Sequence, residues 1–339
     1  MRQLLIFLLP SFLIILISSC QKTSVTPTKT HPILINDSRF LTITLSQDEF
    51  DALVGPDNTY YLEIYQRIKD DFDFILEIYN NDLLPSRFTK SAFHGMVSSS
   101  TSGIGFNPLS TSSLYGSAGR LKAFVTVPTN NALNVVYWNQ LERELLHTWA
   151  NYGIKTETFD GYGNPTSDDL NWGYSGAGTM LHGFDQSTLR TKVDGDSLRY
   201  SFTPVKSYFT MKYSDFELYL MGLIPSKDVK PFDVFTNLLT KVNDTTFRAK
   251  TRTTYTPTVI ESRLGIRQPS STTSQKAFRM LIVVFTVNDL NPTQISNLNF
   301  IAEQFSRQAA DDYAGYVNFF EATGGRATLS MDPVSSSSK

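Results

Sequence analysis

A single cysteine, Cys20, is the feature that most limits how this chain can fold. With one cysteine in 339 residues, no disulfide can form within the chain, and a cysteine-rich zinc site is excluded. The fold must therefore be held by a hydrophobic core. The composition allows such a core, because 41% of the residues are hydrophobic and the chain is long enough for one large domain or two small ones.

The residues before Cys20 have the layout of a secretory signal, with Arg2 as a positive start and an almost wholly apolar run from Leu4 to Ile17. This run is shorter than the ~20 apolar residues that a membrane-spanning helix needs. The stretch Leu16-Ile17-Ser18-Ser19-Cys20 resembles a lipobox, where bacterial signal peptidase cuts before a cysteine that carries diacylglycerol. The resemblance implies lipidation at Cys20; a plain secretory signal with an incidental cysteine is the alternative.

This interpretation divides the chain into four segments. Residues 1–19 are a lipoprotein signal peptide, 20–38 a lipid-anchored flexible tether, 39–330 a folded domain and 331–339 a disordered tail. Gln21 follows the anchor, whereas an Asp there would retain a diderm lipoprotein in the inner membrane. We therefore expect a protein of the cell envelope, held by its lipid, in the outer membrane of a diderm bacterium. The net charge of −2 gives no electrostatic attraction to nucleic acid.

Hydrophobic patterns predict an α+β domain, because strands and helices are mixed without strict alternation. The predicted strands are Leu41 to Leu45, Phe72 to Ile78, Leu121 to Val127 and a central buried strand from Phe278 to Val287. The predicted helices are Ser46 to Leu53 with Glu49 in a capping box, Tyr60 to Lys69, Asn131 to Asn151, Ser214 to Leu223, Pro292 to Ala310 and Tyr313 to Ala322. Residues 97–117 and 160–185 are predicted loops.

The helix from Asn131 to Asn151 has the clearest periodicity and carries a chemically suggestive motif. Its apolar stripe consists of Trp138, Leu141, Leu145 and Trp149. Zinc hydrolases often carry H-E-x-x-H on a helix, where the two His bind the metal and the Glu is general base. Here the helix reads Arg143-Glu144-Leu145-Leu146-His147. An isolated E-x-x-H also fits a surface Glu and a half-buried His.

Several further stretches share a pattern with one group of secreted proteins. They are Glu144 to Trp149, Asn171 to Ser175, Gly183 to Asp185, Tyr213 to Pro225 and Ala322 to Leu329. They resemble a secreted bacterial family with a zinc-metallopeptidase-like domain. In this family an H-E-x-G-H helix precedes a Trp-Gly loop, a Tyr-Ser-x-x-Glu-Leu-Tyr-Leu-Met-Gly-Leu-x-Pro segment and an Ala-Thr-Gly-Gly-Arg-Ala-Thr-Leu end. The resemblance spans residues 60–330 and implies an α+β fold with a mixed sheet and a central E-x-x-H helix.

Two positions depart from the metal motif that the resemblance implies. Arg143 stands where the family helix has its first His, and Asn171 stands where active members have a His. A guanidinium has no lone pair to offer a metal, so Arg143 cannot replace an imidazole ligand. The resemblance leaves Glu144 as the base, with His147 and Glu217 as ligands, whereas catalytic zinc normally keeps three protein ligands.

We therefore expect a degenerate metal site and no cofactor, with zinc bound only if the site is active. One hypothesis pairs Glu217 with Arg143, so that an ion pair replaces the metal as the cross-link between helix and loop. His182 is a possible substitute ligand, whereas His31 in the tether and His94 near a loop are predicted to be solvated or packing residues.

The pair Asp168 and Asp169 fits a calcium-binding loop or, more simply, a solvated turn. Three functions remain open. The first is a lipid-anchored extracytoplasmic protein with a degenerate metallopeptidase-like domain, a pseudoenzyme that binds peptide or protein or acts as a scaffold. The second is an active zinc peptidase with an unusual ligand set. The third is a lipoprotein binding module unrelated to peptidases. Metal content and chelator-sensitive peptidase activity discriminate among them.

Overall fold

The computed structural model describes residues 30–35, 39–53, 58–80, 92–127, 139–195, 197–204, 211–309 and 317–333. The predicted signal peptide, Cys20 and Trp138 lie outside this part of the chain. Helices α1 to α7 span, in order, Gln47–Ala52, Asn58–Tyr65, Gln140–Leu146, Asp215–Met221, Pro257–Leu264, Pro292–Ser306 and Phe319–Ala322. Among the described residues, no helix has the length and apolar character needed to cross a membrane.

The strands form one large mixed sheet and several smaller sheets. Strands β1 to β15 span, in order, Ile33–Ile35, Phe40–Thr44, Phe74–Asn80, Phe93–Met96, Ser98–Ser99, Leu109–Ser110, Ala123–Val127, Glu157–Phe159, Pro165–Ser167, Arg190–Asp194, Ser197–Ser201, Phe232–Asn243, Thr246–Tyr255, Ala277–Thr286 and Thr328–Ser330. The large sheet has the order β1-β2-β14-β3-β7-β4, and β15 pairs with the start of β14. The predicted α+β class and the central strand near Phe278 are confirmed.

Both faces of the large sheet are buried. Strand β14 is parallel to β2 and β3, and β3 is parallel to β7. Along β14, Ile282 and Val284 belong to one core cluster, and Leu281 and Val283 belong to a second cluster on the other face. Helices α1 and α2 contribute to the second cluster, whereas α3, α4 and α6 contribute to the first. This burial on both faces explains why the strand is a continuous apolar run.

Helix α3 ends before the predicted C-terminal bound at Asn151, so that bound is wrong. The helix ends at Leu146, and the next amide groups bond three residues back, from Thr148 to Leu145 and from Trp149 to Leu146. Trp149 nevertheless packs in the core against Phe74 and Phe278. Burial of Trp149 thus continues the apolar stripe into a turn that is no longer α-helical, which is why periodicity overestimates the helix.

The predicted segment boundaries differ from the structure at both ends of the domain. Strand β1, placed in the predicted tether, pairs antiparallel with β2. His31 is buried, with its Nδ1 2.8 Å from a Glu63 carboxylate oxygen and its Nε2 3.3 Å from Glu49. Met331, placed in the predicted tail, is fully buried in the core. The packed domain therefore extends beyond the predicted boundaries 39 and 330.

A four-stranded antiparallel sheet, in the order β10-β11-β13-β12, is absent from the sequence predictions. It packs an aromatic cluster that includes Phe235 and Phe247, whose rings lie 4.9 Å apart edge to face. Helix α5 is also missing from the sequence predictions, although Thr256 is its N-cap and Pro257 lies in its first turn. The predicted loops at 97–117 and 160–185 contain the short strands β5, β6 and β9 and one 3-10 turn, Ser112–Tyr115.

Candidate functional site

A cleft of about 920 Å³ lies beside helix α3. It is lined by three residues of the predicted motif, Arg143, Glu144 and His147. His94 from β4 and His182 from the loop between β9 and β10 also line it. The opposite side of α3 is apolar, because Leu141, Leu145 and Leu146 are fully buried in the core beneath the sheet. The periodicity of the helix therefore directs Arg143 and Glu144 into the cleft.

Arg143 is held by a polar chain across the cleft wall. Its Nη2 donates to Asn171 Oδ1 at 2.9 Å, and Asn171 Nδ2 donates to Asp168 Oδ1 at 3.1 Å. Asp168 Oδ1 also accepts the Asn171 backbone amide at 3.0 Å. Arg143 and Asn171, the two positions where the resemblance implies His, are thus bonded to each other. Asp168 orients the Asn171 amide, whereas Asp169 accepts from the Ser167 hydroxyl, so the two carboxylates are not paired as a calcium site.

Glu144 lies one position after Arg143 and is buried, with 8% of its surface exposed at the cleft. Burial raises the pKa of its carboxyl from the ordinary 4.5 to about 7, and the neighbouring Arg143 guanidinium opposes this rise. A carboxyl with a pKa near neutrality can either donate or accept a proton, which is the property expected of a general acid or base.

His147 and His94 are neutral near pH 7, because burial lowers the pKa of each imidazole. His147 Nδ1 lies 3.1 Å from the Ala150 carbonyl, which can only accept, so Nδ1 carries the proton and Nε2 keeps a lone pair. Burial lowers the pKa of His147 to about 4 and that of His94 to about 3. Their ring centroids are 6.1 Å apart, and His94 Nε2 bonds the Thr148 hydroxyl at 3.1 Å.

Glu217 does not reach the cleft, so its predicted roles as a metal ligand and as the partner of Arg143 are wrong. It is fully buried at the third position of α4, where it forms a capping box with Ser214. Its carboxylate accepts Trp172 Nε1 at 2.9 Å and the backbone amides of Met180 and Leu181 at 3.0 and 3.2 Å. Glu217 therefore fixes the loop that carries cleft residues, without touching the cleft.

Glycine is required where this loop passes Glu217. A Cβ on Gly178 would lie 1.8 Å from Trp172 Cδ1 and 2.6 Å from Glu217 Oε1. Further along, His182 adopts a left-handed backbone with φ of 67° and lines the cleft. Burial lowers its pKa, and the Arg143 guanidinium lowers it further.

Sequence patterns miss several residues of the cleft. His94 comes from β4, a four-residue strand whose antiparallel pairing with β7 is a long-range contact. Apolar walls come from four further positions: Phe93, Met96, Met180 and Met211. The sequence feature that could have identified Met211 is its position two residues before Tyr213, where the segment Tyr213 to Pro225 begins. The Tyr213 hydroxyl donates to the Glu142 carbonyl of α3 at 2.7 Å.

The residues present do not fit a catalytic zinc ion. Of the ligand positions implied by the resemblance, Arg143 offers no lone pair and Glu217 is withdrawn beneath the loop. Within the described ranges, no group of three or more His, Cys, Asp or Glu is placed to hold a metal. Three protein ligands are the usual minimum for such a site.

Comparison with protein-family models, with curated proteins and with solved structures gives no match for this chain.

Proposed function

We propose that this chain is a lipid-anchored protein of the cell envelope whose cleft binds peptide or protein segments without metal-dependent hydrolysis. The anchor is supported by the signal pattern that ends at Cys20. Binding is supported by the cleft itself, which at 920 Å³ combines apolar walls with a few polar groups, the usual make-up of a ligand site.

One observation carries the proposal. Arg143 occupies the first ligand position of the E-x-x-H helix, lines the cleft and bonds Asn171, the second departure from the motif. A fixed guanidinium at this place would repel a divalent cation and cannot coordinate it. The apolar walls of the cleft can still contact a ligand, so the cleft is suited to binding without a metal ion.

A working peptidase is the second candidate, and the gathering of Glu144, His147 and His94 on one cleft favours it. Glu144 has a pKa suited to a general base. The same geometry also counts against it, because His94 Nε2 is engaged by Thr148 and no group of three His, Cys, Asp or Glu among the described residues is placed to hold a metal.

Cleavage and binding assays on the full mature chain in detergent test the proposal. A pool of unstructured peptides is expected to bind saturably and to remain intact by mass spectrometry. Cleavage that a chelator stops and that Glu144→Gln abolishes would establish the peptidase instead. Failure of every peptide to bind would remove the proposed binding role.

A further inference from the structure

Arg143 is a half-buried cation without an acidic partner in the described part of the chain. Its Nη2 donates to a neutral amide, that of Asn171, and its Nε is buried without a hydrogen-bond acceptor there. Within the same ranges, no carboxylate lies within ion-pair distance of the guanidinium, and Glu217 is committed elsewhere. An unmatched guanidinium in a partly apolar setting is costly unless a ligand supplies the negative charge.

Other ionisable groups of the cleft do not supply a fixed countercharge. His94 and His147 carry no charge at neutral pH, because burial lowers the pKa of each imidazole. The Glu144 carboxyl is only partly ionised there, since burial raises its pKa to about 7. Asp169 stands exposed at the rim. Arg143 is therefore the fixed charge that lies between the apolar walls, whereas the Asp169 carboxylate lies in solvent at the rim.

The chemistry of that charge selects a carboxylate. A guanidinium presents parallel N–H groups that match the two oxygens of a carboxylate, and such pairs strengthen away from water. At 920 Å³ the cleft exceeds what one small organic acid fills. A chain terminus can end inside a cleft, whereas an internal acidic residue requires both flanking segments to leave it.

We infer that the cleft captures the C-terminal carboxylate of a peptide, with Arg143 as its partner and Phe93, Met96, Met180 and Met211 contacting the last side chains. This inference rests on the proposed function, since it names the class of peptide that the cleft binds. Arg143 would then act in recognition at the position where a metalloenzyme keeps its first ligand.

The experiment compares two peptide pools on the full mature chain in detergent. Both pools are hexapeptides without Asp or Glu, one with free C-terminal carboxylates and one with C-terminal amides. The free-acid pool is expected to bind at least ~10-fold more tightly, which corresponds to the loss of one charge-assisted contact. Arg143→Gln should abolish this difference, and Arg143→Lys should retain only part of it. Arg190→Gln, on an exposed strand, is the matched control.

The outcomes separate the inference from the proposed function. If neither pool binds, the proposed peptide binding fails. If both pools bind equally and Arg143→Gln changes neither, peptide binding stands and carboxylate capture is overturned. An amidated peptide with an internal Asp that binds as tightly as the free acid would also overturn capture of the terminus. Circular dichroism and melting temperature show that each variant is folded.

Discussion

At the scale of single residues, the two positions where the resemblance implies His, Arg143 and Asn171, behave as one unit. Arg143 and Asn171 lie 28 positions apart, yet the guanidinium Nη2 bonds the amide oxygen at 2.9 Å. A change at either position alone leaves the other without its partner, which is costly for a buried polar group. We therefore expect the two positions to act together in any attempt to restore metal binding.

Replacing both residues should rebuild a zinc site. Arg143→His places an imidazole four residues before His147 on the same helix face, and Asn171→His adds a third beside it. The double variant is expected to retain close to one zinc per chain, measured by plasma mass spectrometry after dialysis. The control combines Gln140→His with Asn171→His. Positions 140 and 147 lie about two helical turns apart, so their imidazoles are too far apart to bind one zinc ion together. Equal zinc in both double variants would contradict this geometry.

A second residue-scale prediction concerns Glu77, which is fully buried in β3 and accepts from Tyr61, Tyr79 and Thr126. Burial raises its pKa from the ordinary 4.5 to about 7. The folded state therefore binds this proton more tightly than the unfolded state. The stability that protonation of Glu77 contributes is fully present below pH 4.5 and is lost as the pH rises through 7.

Glu77→Gln should remove that part of the pH dependence. Between pH 4.5 and 7.5 the wild-type chain is expected to lose about 3 kcal/mol more unfolding free energy than the variant, at ~1.4 kcal/mol for each unit of pKa shift. Urea unfolding at both pH values measures the difference. Other buried carboxyls, including Glu142, occur in both proteins and cancel. Parallel pH profiles would refute the assignment to Glu77.

At the scale of elements, the capping box of α4 reaches well beyond its helix. Glu217 accepts from the Ser214 amide at 2.7 Å and from the loop amides of Met180 and Leu181. Glu321 holds the corresponding position in α7 but is only partly buried. Both carboxylates hold the third position of a capping box, but Glu217 also accepts from amides of the loop. Comparing the two therefore isolates the contribution of the loop contacts.

Glu217→Gln should therefore destabilise the domain more than Glu321→Gln. In the variant, Nε2 replaces one carboxylate oxygen and cannot accept from the backbone N–H groups that this oxygen accepts from, so we expect a loss of about 2–3 kcal/mol. For Glu321→Gln we expect about 0.5–1 kcal/mol, the usual worth of a cap. Chemical denaturation compares the two variants. Equal losses would show that Glu217 serves only its own helix.

Local signals account for what could be predicted from the sequence. The capping box at Ser46, the start of a helix at Ser214 and the apolar run of β14 depend on neighbours in the chain, and all three predictions are confirmed. The sheet from β10 to β13 and the arrival of His94 at the cleft depend on distant pairing, which no local pattern encodes. The same reason explains why Glu217 was assigned to the wrong partner.

At the scale of the whole molecule, the proposed anchor and cleft are separate features joined by one chain. The structure begins to describe the chain at Thr30, and the domain is fixed immediately afterwards by His31 and β1. The cleft lies on the opposite edge of the large sheet from β1, beside β4. The sheet thus separates the point where the proposed tether enters from the proposed binding site.

The anchor itself makes a whole-molecule prediction. In bacterial cells fed labelled palmitate, the wild-type chain is expected to carry the label and to fractionate with membranes. Cys20→Ser should lose both, and the test is clean because the chain has no other cysteine. Label on the Cys20→Ser chain, or membrane association unchanged by this substitution, would contradict lipidation at this residue.

The central claim is that Arg143 has taken the place of a catalytic metal in the cleft. The zinc content of the full mature chain, purified in detergent and dialysed, tests it most directly. We predict well below one zinc per chain, unchanged by Glu144→Gln or His147→Ala. One tightly held zinc per chain, lost in the His147→Ala variant, would contradict the claim and establish a metal site.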